Sequence, residues 1–144
     1  STGTGKLAPD LPRGEETILL AEDDPGVRRL ARQVLEQLGY RVLIAANGRE
    51  ALDICRRFEE RIDLLLSDVV MPDLHGPEVV TRARELRDDF RVLYISAYAD
   101  EALRQYGPAG SECPVVQKPF DIGDLARTVA SVLASDDQDV SVAE

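Results

Sequence analysis

The sequence contains no long hydrophobic run. Its longest uninterrupted apolar stretch is VLIAA at residues 42–46, far short of the roughly 20 residues that a membrane-spanning helix needs. The first residues also lack the succession of basic, apolar and small residues that is typical of a secretory signal peptide. We therefore expect that this chain does not enter a membrane and that the protein is cytoplasmic.

Basic residues are scarce relative to acidic ones. The chain has 17 Lys and Arg against 27 Asp and Glu, a formal net charge of −10, which argues against nucleic acid as a direct partner because a phosphate backbone binds a basic surface. Cysteine is scarce as well. Cys55 and Cys113 lie far apart with no second thiol or histidine cluster near either, so we expect two reduced core residues and not a disulfide or a metal site.

Both ends of the chain are polar. Residues 1–16 are rich in Gly and Pro and predict a flexible linker, and the GTGK sequence within them lacks the earlier glycine and the preceding strand of a phosphate-binding loop. Residues 136–144 carry acidic side chains and no basic one, which predicts an acidic disordered tail. The first residue is not Met, so we expect a processed chain or a piece of a longer one. The folded domain is expected at residues 17–135.

Short apolar runs alternate with segments whose apolar residues repeat at helical spacing. The runs predict five strands, at residues 17–21, 41–45, 62–67, 91–96 and 114–117. A helix is predicted after each strand, and the fourth of these is short and lies around residues 100–106. Strands that are apolar almost throughout are buried on both faces, which indicates an α/β fold with a parallel sheet between two layers of helices.

Acidic residues stand where two of these strands end. Glu22, Asp23 and Asp24 follow the first strand, and Asp68 follows the third. Asp24 precedes Pro25 and has the pattern of a helix cap. Because the carboxyl ends of parallel strands meet at one edge of the sheet, the carboxylates would repel one another unless a cation lies among them. Oxygen ligands of this kind suit Mg²⁺.

The fourth and fifth strands deliver residues of another kind to the same edge. Ser96 and Ala97 follow the fourth strand, and Lys118 follows the fifth. A hydroxyl and an ammonium supply hydrogen-bond donors for an anion such as a phosphoryl group. Taken singly, each of these residues is more often structural or solvated than functional. The acidic pair, Asp68, Ser96 and Lys118 nevertheless stand in order at the ends of four strands, and this arrangement favours a functional site.

Four segments of the sequence, ILLAEDDPGVR, LLLSDVVMPDLHG, LYISAYAD and VVQKPF, resemble the receiver domains of two-component response regulators. The resemblance extends over most of the chain and is strongest to receivers of hybrid histidine kinases and to stand-alone receivers. It implies a flavodoxin-like, doubly wound (βα)5 fold, a three-layer sandwich whose parallel sheet has the strand order 2-1-3-4-5. It also implies a phosphorelay signalling phosphoprotein that catalyses only its own phosphorylation and dephosphorylation.

The resemblance assigns roles to individual residues. It implies that Asp68 is the phosphoacceptor and that the lone histidine, His75, has no role in the chemistry. The implied ligands of Mg²⁺ are three carboxylates and one carbonyl: Glu22, Asp23, Asp68 and the backbone carbonyl of Val70. The implied phosphoryl-binding residues follow the fourth and fifth strands: Ser96, Ala97 and Lys118. The phosphodonor would be a histidine kinase, separate or fused to this chain, and a downstream protein or a phosphotransfer protein would be the next partner.

The expected conformational switch departs from the family pattern. Receivers usually carry an aromatic residue three positions before the lysine, and here that position holds Val115. Tyr98, two residues after Ser96, is the nearest bulky replacement. We expect phosphorylation to draw Ser96 inward and to repack Tyr98 against the edge formed by the fourth and fifth strands. The alternative is that Tyr98 only shields the phosphoryl group from water.

Three other functions are open to this fold. A pseudo-receiver acting only as a docking module would usually have lost the acidic pair, the phosphoacceptor or the lysine. A phosphatase of the haloacid dehalogenase type needs a second Asp two residues after the nucleophile, where this chain has Val70. A flavin binder needs a hydroxyl-rich phosphate loop after the first strand, where the EDDP sequence would repel the phosphate.

Overall fold

The computed structural model describes residue 8 and residues 10–97 and 115–135 of the 144-residue chain. Nine regular elements, five strands and four helices, lie within these ranges. Four predicted features fall outside them: the short helix around residues 100–106, the acidic tail at residues 136–144, Tyr98 and Cys113.

The strands form one parallel sheet in the order β2-β1-β3-β4-β5. They are β1 (Thr17–Ala21), β2 (Arg41–Ala45), β3 (Leu64–Asp68), β4 (Arg91–Ser96) and β5 (Val115–Gln117). The strand order that the resemblance implied is confirmed. β1, β2 and β4 have the predicted bounds, whereas β3 begins and ends later than predicted. As a result, Asp68 is the last residue of the strand and pairs in register with Ile95 of β4.

Helices cover both faces of the sheet. They are α1 (Pro25–Gln37), α2 (Gly48–Arg57), α3 (Gly76–Leu86) and α4 (Ile122–Ala134). In three of them an Asp or Asn side chain accepts hydrogen bonds from backbone N–H groups of the first turn, which otherwise lack partners. Asp24 is one of these caps, as predicted. None of the four described helices combines the length and apolar character needed to cross a lipid bilayer.

The core has two parts because alternate residues of a strand face opposite sides of the sheet. In β1, Ile18 and Leu20 pack with α1 and α4, whereas Leu19 and Ala21 pack with α2 and α3. The three-layer α/β architecture is therefore confirmed. Cys55 of α2 is a buried free thiol in the second cluster, as expected for a reduced core residue.

Part of the predicted linker contacts the folded domain. Within residues 10–16, Leu11 is buried in the same cluster as Leu38, and the Gly14 N–H donates to the Leu38 carbonyl at 3.0 Å. Gly39 has φ = +106°, and a Cβ there would lie 2.3 Å from the Gly14 carbonyl oxygen, so both the dihedral and the close approach require glycine. The domain limits at residues 17 and 135 stay a prediction, and packed structure extends to Leu11.

Candidate functional site

Three carboxylates meet beyond the carboxyl ends of β1 and β3. Glu22 and Asp23 follow β1, and Asp68 ends β3. One carboxylate oxygen from each residue lies within 4.8 Å of the other two. Glu22 is fully buried, Asp68 is buried and Asp23 is exposed. The structure therefore brings together the three carboxylates that the sequence suggested as a group.

The Lys118 ammonium lies between two of these carboxylates. It donates a hydrogen bond to Asp68 Oδ2 at 2.8 Å and lies 2.9 Å from Glu22 Oε1, an ion pair that lacks the alignment of a hydrogen bond. The backbone N–H of Lys118 donates to the Ser96 carbonyl at 2.8 Å. This bond continues the pairing of β4 with β5 by one residue and so brings the lysine to the site.

Burial and neighbouring charges change the proton affinities of the site. Burial raises the pKa of Glu22 from 4.5 to about 7, the Asp68 charge adds to the rise, and the Asp24 N–H and Lys118 oppose it. Burial on its own would lower the pKa of Lys118, but the hydrogen bond to Asp68 and the negative charges of Asp68 and Glu22 raise it. Lys118 is therefore charged at neutral pH, and a cation that binds Glu22 would compete with a proton there.

The loop after β3 is tied to Asp68 at several points. The Val70 N–H donates to Asp68 Oδ1 at 3.2 Å, and the Ser67 hydroxyl donates to the Asp68 carbonyl at 2.9 Å. The Gly76 N–H donates to the Val69 carbonyl at 2.7 Å. A Cβ on Gly76 would lie 2.4 Å from the Asp68 carbonyl oxygen. A glycine is therefore required where the chain passes Asp68 and enters α3.

The donor set of the site fits Mg²⁺. Carboxylate oxygens are hard ligands that this ion prefers. When ionised, the three carboxylates face one ammonium, so two negative charges are left for a divalent cation to balance. Val70 is exposed and lies two positions after Asp68. Its N–H binds the Asp68 carboxylate, so the predicted carbonyl ligand lies in a loop that is tied to the site.

The other predicted residues that the structure describes lie on β4 and β5 or directly after β4. Ser96 is buried at the end of β4, in register with Gln117 of β5, and the Gln117 side-chain amide donates to the Ala97 carbonyl at 2.7 Å. Val115 is half-buried and packs against the cluster that contains Tyr94. Ser96 and Val115 are thus on neighbouring strands, and their roles in phosphoryl binding and switching stay predictions, as does that of Tyr98.

Two residues near the site were not predicted. The Arg28 guanidinium donates to the backbone carbonyls of Glu22 at 2.8 Å and Asp23 at 3.5 Å, which holds the turn between β1 and α1. The sequence carried a sign of this contact, because Arg28 lies in the first turn of the helix that follows the acidic run. Asp73 binds the start of α2, 25 residues before it in sequence, and its local sequence gives no sign of this contact.

A family model described as the response regulator receiver domain matches residues 18–130. The chain belongs to the response regulator receiver domain family. This receiver domain is 36% identical over 124 residues to the sensor kinase CckA of Brucella abortus (strain 2308), an alignment that covers 86% of the receiver chain but 13% of the kinase. It is 39% identical over 116 residues to the response regulator receiver protein CpdR of the same organism, covering 81% of this chain and 95% of CpdR.

A solved structure supports the same assignment. It is the receiver domain of a sensor histidine kinase from Pseudomonas aeruginosa PAO1, described with a magnesium ion coordinated in its active site cleft. The two structures superpose with a TM-score of 0.73 at 27% identity, over 85% of this receiver chain and 100% of that chain. The predicted family and its place in two-component signalling are therefore confirmed.

Proposed function

We propose that this receiver domain is a phosphoacceptor in a two-component phosphorelay and that Asp68 accepts the phosphoryl group from a phosphohistidine of a histidine kinase. The observation that carries the proposal is the environment of Asp68. Its buried carboxylate ends a central strand, binds the Lys118 ammonium through one oxygen and shares a cluster with Glu22 and Asp23. Similarity to both a sensor kinase and a receiver protein makes a kinase the expected partner, either fused or separate.

The proposed reaction moves a phosphoryl group between two side chains. A carboxylate oxygen of Asp68 forms the new O–P bond as the N–P bond to the donor imidazole breaks, and the imidazole leaves with the electron pair of that bond. Transfer of this kind depends on positioning and charge neutralisation more than on covalent help. Lys118 binds the attacking carboxylate, and Ser96 and Ala97 would contact the phosphoryl oxygens.

The acidic cluster would bind the cofactor of this transfer. Glu22, Asp23, Asp68 and the Val70 carbonyl would hold Mg²⁺. When bound, the ion would neutralise charge on the phosphoryl group. The domain would catalyse only its own phosphorylation and dephosphorylation. The expected cytoplasmic location stays a prediction.

The signal would leave the site through the end of β4. Phosphorylation of Asp68 replaces its single carboxylate charge with close to two negative charges beside Lys118 and Ser96. Because the Ala97 carbonyl binds the Gln117 side chain, a displacement of the residues after β4 would also reach β5. Ser96, Tyr98 and Val115 remain the proposed switch, and the surface they reshape would bind a downstream protein or a phosphotransfer protein.

Incubation with acetyl phosphate and Mg²⁺, followed by intact mass measurement, tests this function. We expect the wild type to gain one phosphoryl group and Asp68→Asn to gain none. Asp53→Asn, a change in an exposed carboxylate of α2, serves as the matched control and should react like the wild type. An Asp68→Asn variant that still gains phosphate with the same Mg²⁺ dependence would contradict the site assignment.

The same experiment separates the alternatives. A wild type that folds and binds Mg²⁺ but gains no phosphate from acetyl phosphate or from kinases would indicate a docking pseudo-receiver. Sustained release of phosphate from many added phosphate esters would indicate a phosphatase. The retained Asp68 and Lys118 pair favours the phosphoacceptor over the pseudo-receiver, and Val70, at the position where the phosphatase needs a second Asp, favours it over the phosphatase.

A further inference from the structure

Asp73, in the loop between β3 and α3, binds the first turn of α2. Its Oδ1 accepts hydrogen bonds from the Gly48 N–H at 3.0 Å and the Leu74 N–H at 2.8 Å, and its Oδ2 accepts from the Arg49 N–H at 2.9 Å. One carboxylate thus pairs two of the backbone donors that begin α2 and one donor of its own loop. A negative charge at this end of a helix is also favoured by the helix dipole.

The bond to Asp73 is additional to the helix's own cap. Asn47 Oδ1 accepts from the Glu50 N–H at 2.9 Å, and Glu50 Oε1 accepts from the Ala46 N–H at 2.8 Å. The first bond is the cap of the helix, and the second ties the residue before the cap to the same turn, an arrangement related to a capping box. Because α2 is already capped by residues of its own sequence, the contribution of Asp73 is a connection between α2 and the loop after β3.

Close packing accompanies this connection. A Cβ on Gly48 would lie 2.7 Å from Leu74 Cβ and 2.9 Å from a methyl group of Val79, so the start of α2 lies directly against the loop and α3. Leu74 is buried in the cluster on this face of the sheet. The loop is therefore held at Asp73 and Leu74, three and four residues beyond Val70.

Val70 lies between two fixed points. On one side its N–H binds the Asp68 carboxylate, and on the other side Asp73 binds α2. We propose that Asp73 is a positioning residue for the metal site: by binding the start of α2 it fixes the loop that carries the Val70 carbonyl, and so sets the position of this ligand relative to Asp68. This inference rests on the proposed function, since it takes the Mg²⁺ site as given.

The Mg²⁺ dissociation constant, measured by isothermal titration calorimetry on the full chain, tests this role. Asp73→Ala removes the anchor of the loop, whereas Asn47→Ala removes a cap from the same turn of α2 and leaves the loop bound. We expect Asp73→Ala to raise the dissociation constant about 10-fold and Asn47→Ala to raise it less than about 2-fold, in line with partners that orient metal ligands. Asp73→Asn keeps one acceptor oxygen and should fall between Asp73→Ala and the wild type.

Melting temperatures of the same variants separate positioning from stability. If Asp73→Ala and Asn47→Ala lower the melting temperature alike and weaken Mg²⁺ alike, Asp73 is only a helix cap and the inference is overturned. If Asp73→Ala does not fold, Asp73→Asn replaces it, and a dissociation constant equal to that of the wild type overturns the inference. If the wild type gains phosphate on Asp68 and these variants bind Mg²⁺ as tightly as the wild type, the inference is overturned and the proposed function is left intact. No Mg²⁺ binding by the wild type would overturn both.

Discussion

Lys118 donates a hydrogen bond to Asp68 at 2.8 Å and joins the end of β5 to the end of β3 across β4. The two residues are 50 positions apart in sequence, so the bond forms only when the strands have paired in this order. Their side chains are 16% and 8% exposed. A pair shielded to this degree is not an ordinary surface salt bridge, and removing one partner leaves the other charge uncompensated.

Lys118→Met should destabilise the metal-free protein at pH 8 by about 2–3 kcal/mol, because Asp68 and Glu22 lose the ammonium that compensates them. The loss should shrink in acid, where protonation of Glu22 removes one of the two negative charges. Urea denaturation in the presence of a chelator measures it. Lys118→Arg keeps the charge and should lose less. Equal stability of Lys118→Met and the wild type at pH 8 would show that the buried pair contributes nothing.

Glu22→Gln should stabilise the metal-free protein near pH 8 and change little near pH 4.5. Burial raises the pKa of Glu22 from 4.5 to about 7, so its contribution to stability is complete below about pH 4.5 and is lost as the pH rises through about 7. The shift corresponds to about 3 kcal/mol. Gln resembles the protonated carboxyl and avoids this loss.

Thermal denaturation of Glu22→Gln from pH 4.5 to pH 8, with a chelator present, measures this dependence. Asp23→Asn is the matched control, because it removes the adjacent carboxylate, which is exposed and not buried. A difference in melting temperature between Glu22→Gln and wild type that stays constant across this range would contradict the buried-acid explanation.

Arg87→Ala should lower the free energy of unfolding by about 2 kcal/mol, because a charged donor that binds several carbonyls is lost. The Arg87 guanidinium donates to the carbonyls of Cys55 at 3.1 Å and Glu60 at 2.9 Å, and to that of Phe58. These bonds tie the end of α3 to the end of α2 and the residues that follow it.

Equilibrium denaturation of Arg87→Ala and of Arg57→Ala provides the comparison. Arg57 forms an exposed ion pair with Asp53 one turn away, and its removal should cost less than about 0.5 kcal/mol. Arg87→Lys keeps the charge but lacks the forked geometry of the guanidinium, so it should recover only part of the stability that Arg87→Ala loses. Equal effects of the two alanine variants would refute a specific role for Arg87.

The sequence predicted the sheet and the acidic site because both depend on local patterns. The apolar run of β1 identifies a strand. Glu22 and Asp23 follow it at once, so they lie at the carboxyl edge of the sheet. Lys118 could be placed because a short apolar run precedes it. Parallel pairing then brings these residues together without further information.

Other features depend on contacts between distant parts of the chain and left no local pattern. Asp73 has the sequence of an ordinary turn residue, and its bonds to α2 follow from the position of the loop over that helix. Leu11 is one of few apolar residues in a polar segment rich in Gly and Pro, so composition predicted a linker while packing buries the side chain. The proposed part of Tyr98 in the switch lies outside the described residues and stays a prediction.

The contact of Gly14 with the end of α1 has a mechanical consequence. Because Leu11 is buried and the Gly14 N–H binds the Leu38 carbonyl, a tension applied to the chain before Leu11 is transmitted first to the end of α1. β1 carries load only after these contacts and the hydrogen bond from Arg13 to the Gln37 carbonyl yield. The strand that precedes Glu22 is thus protected from such tension.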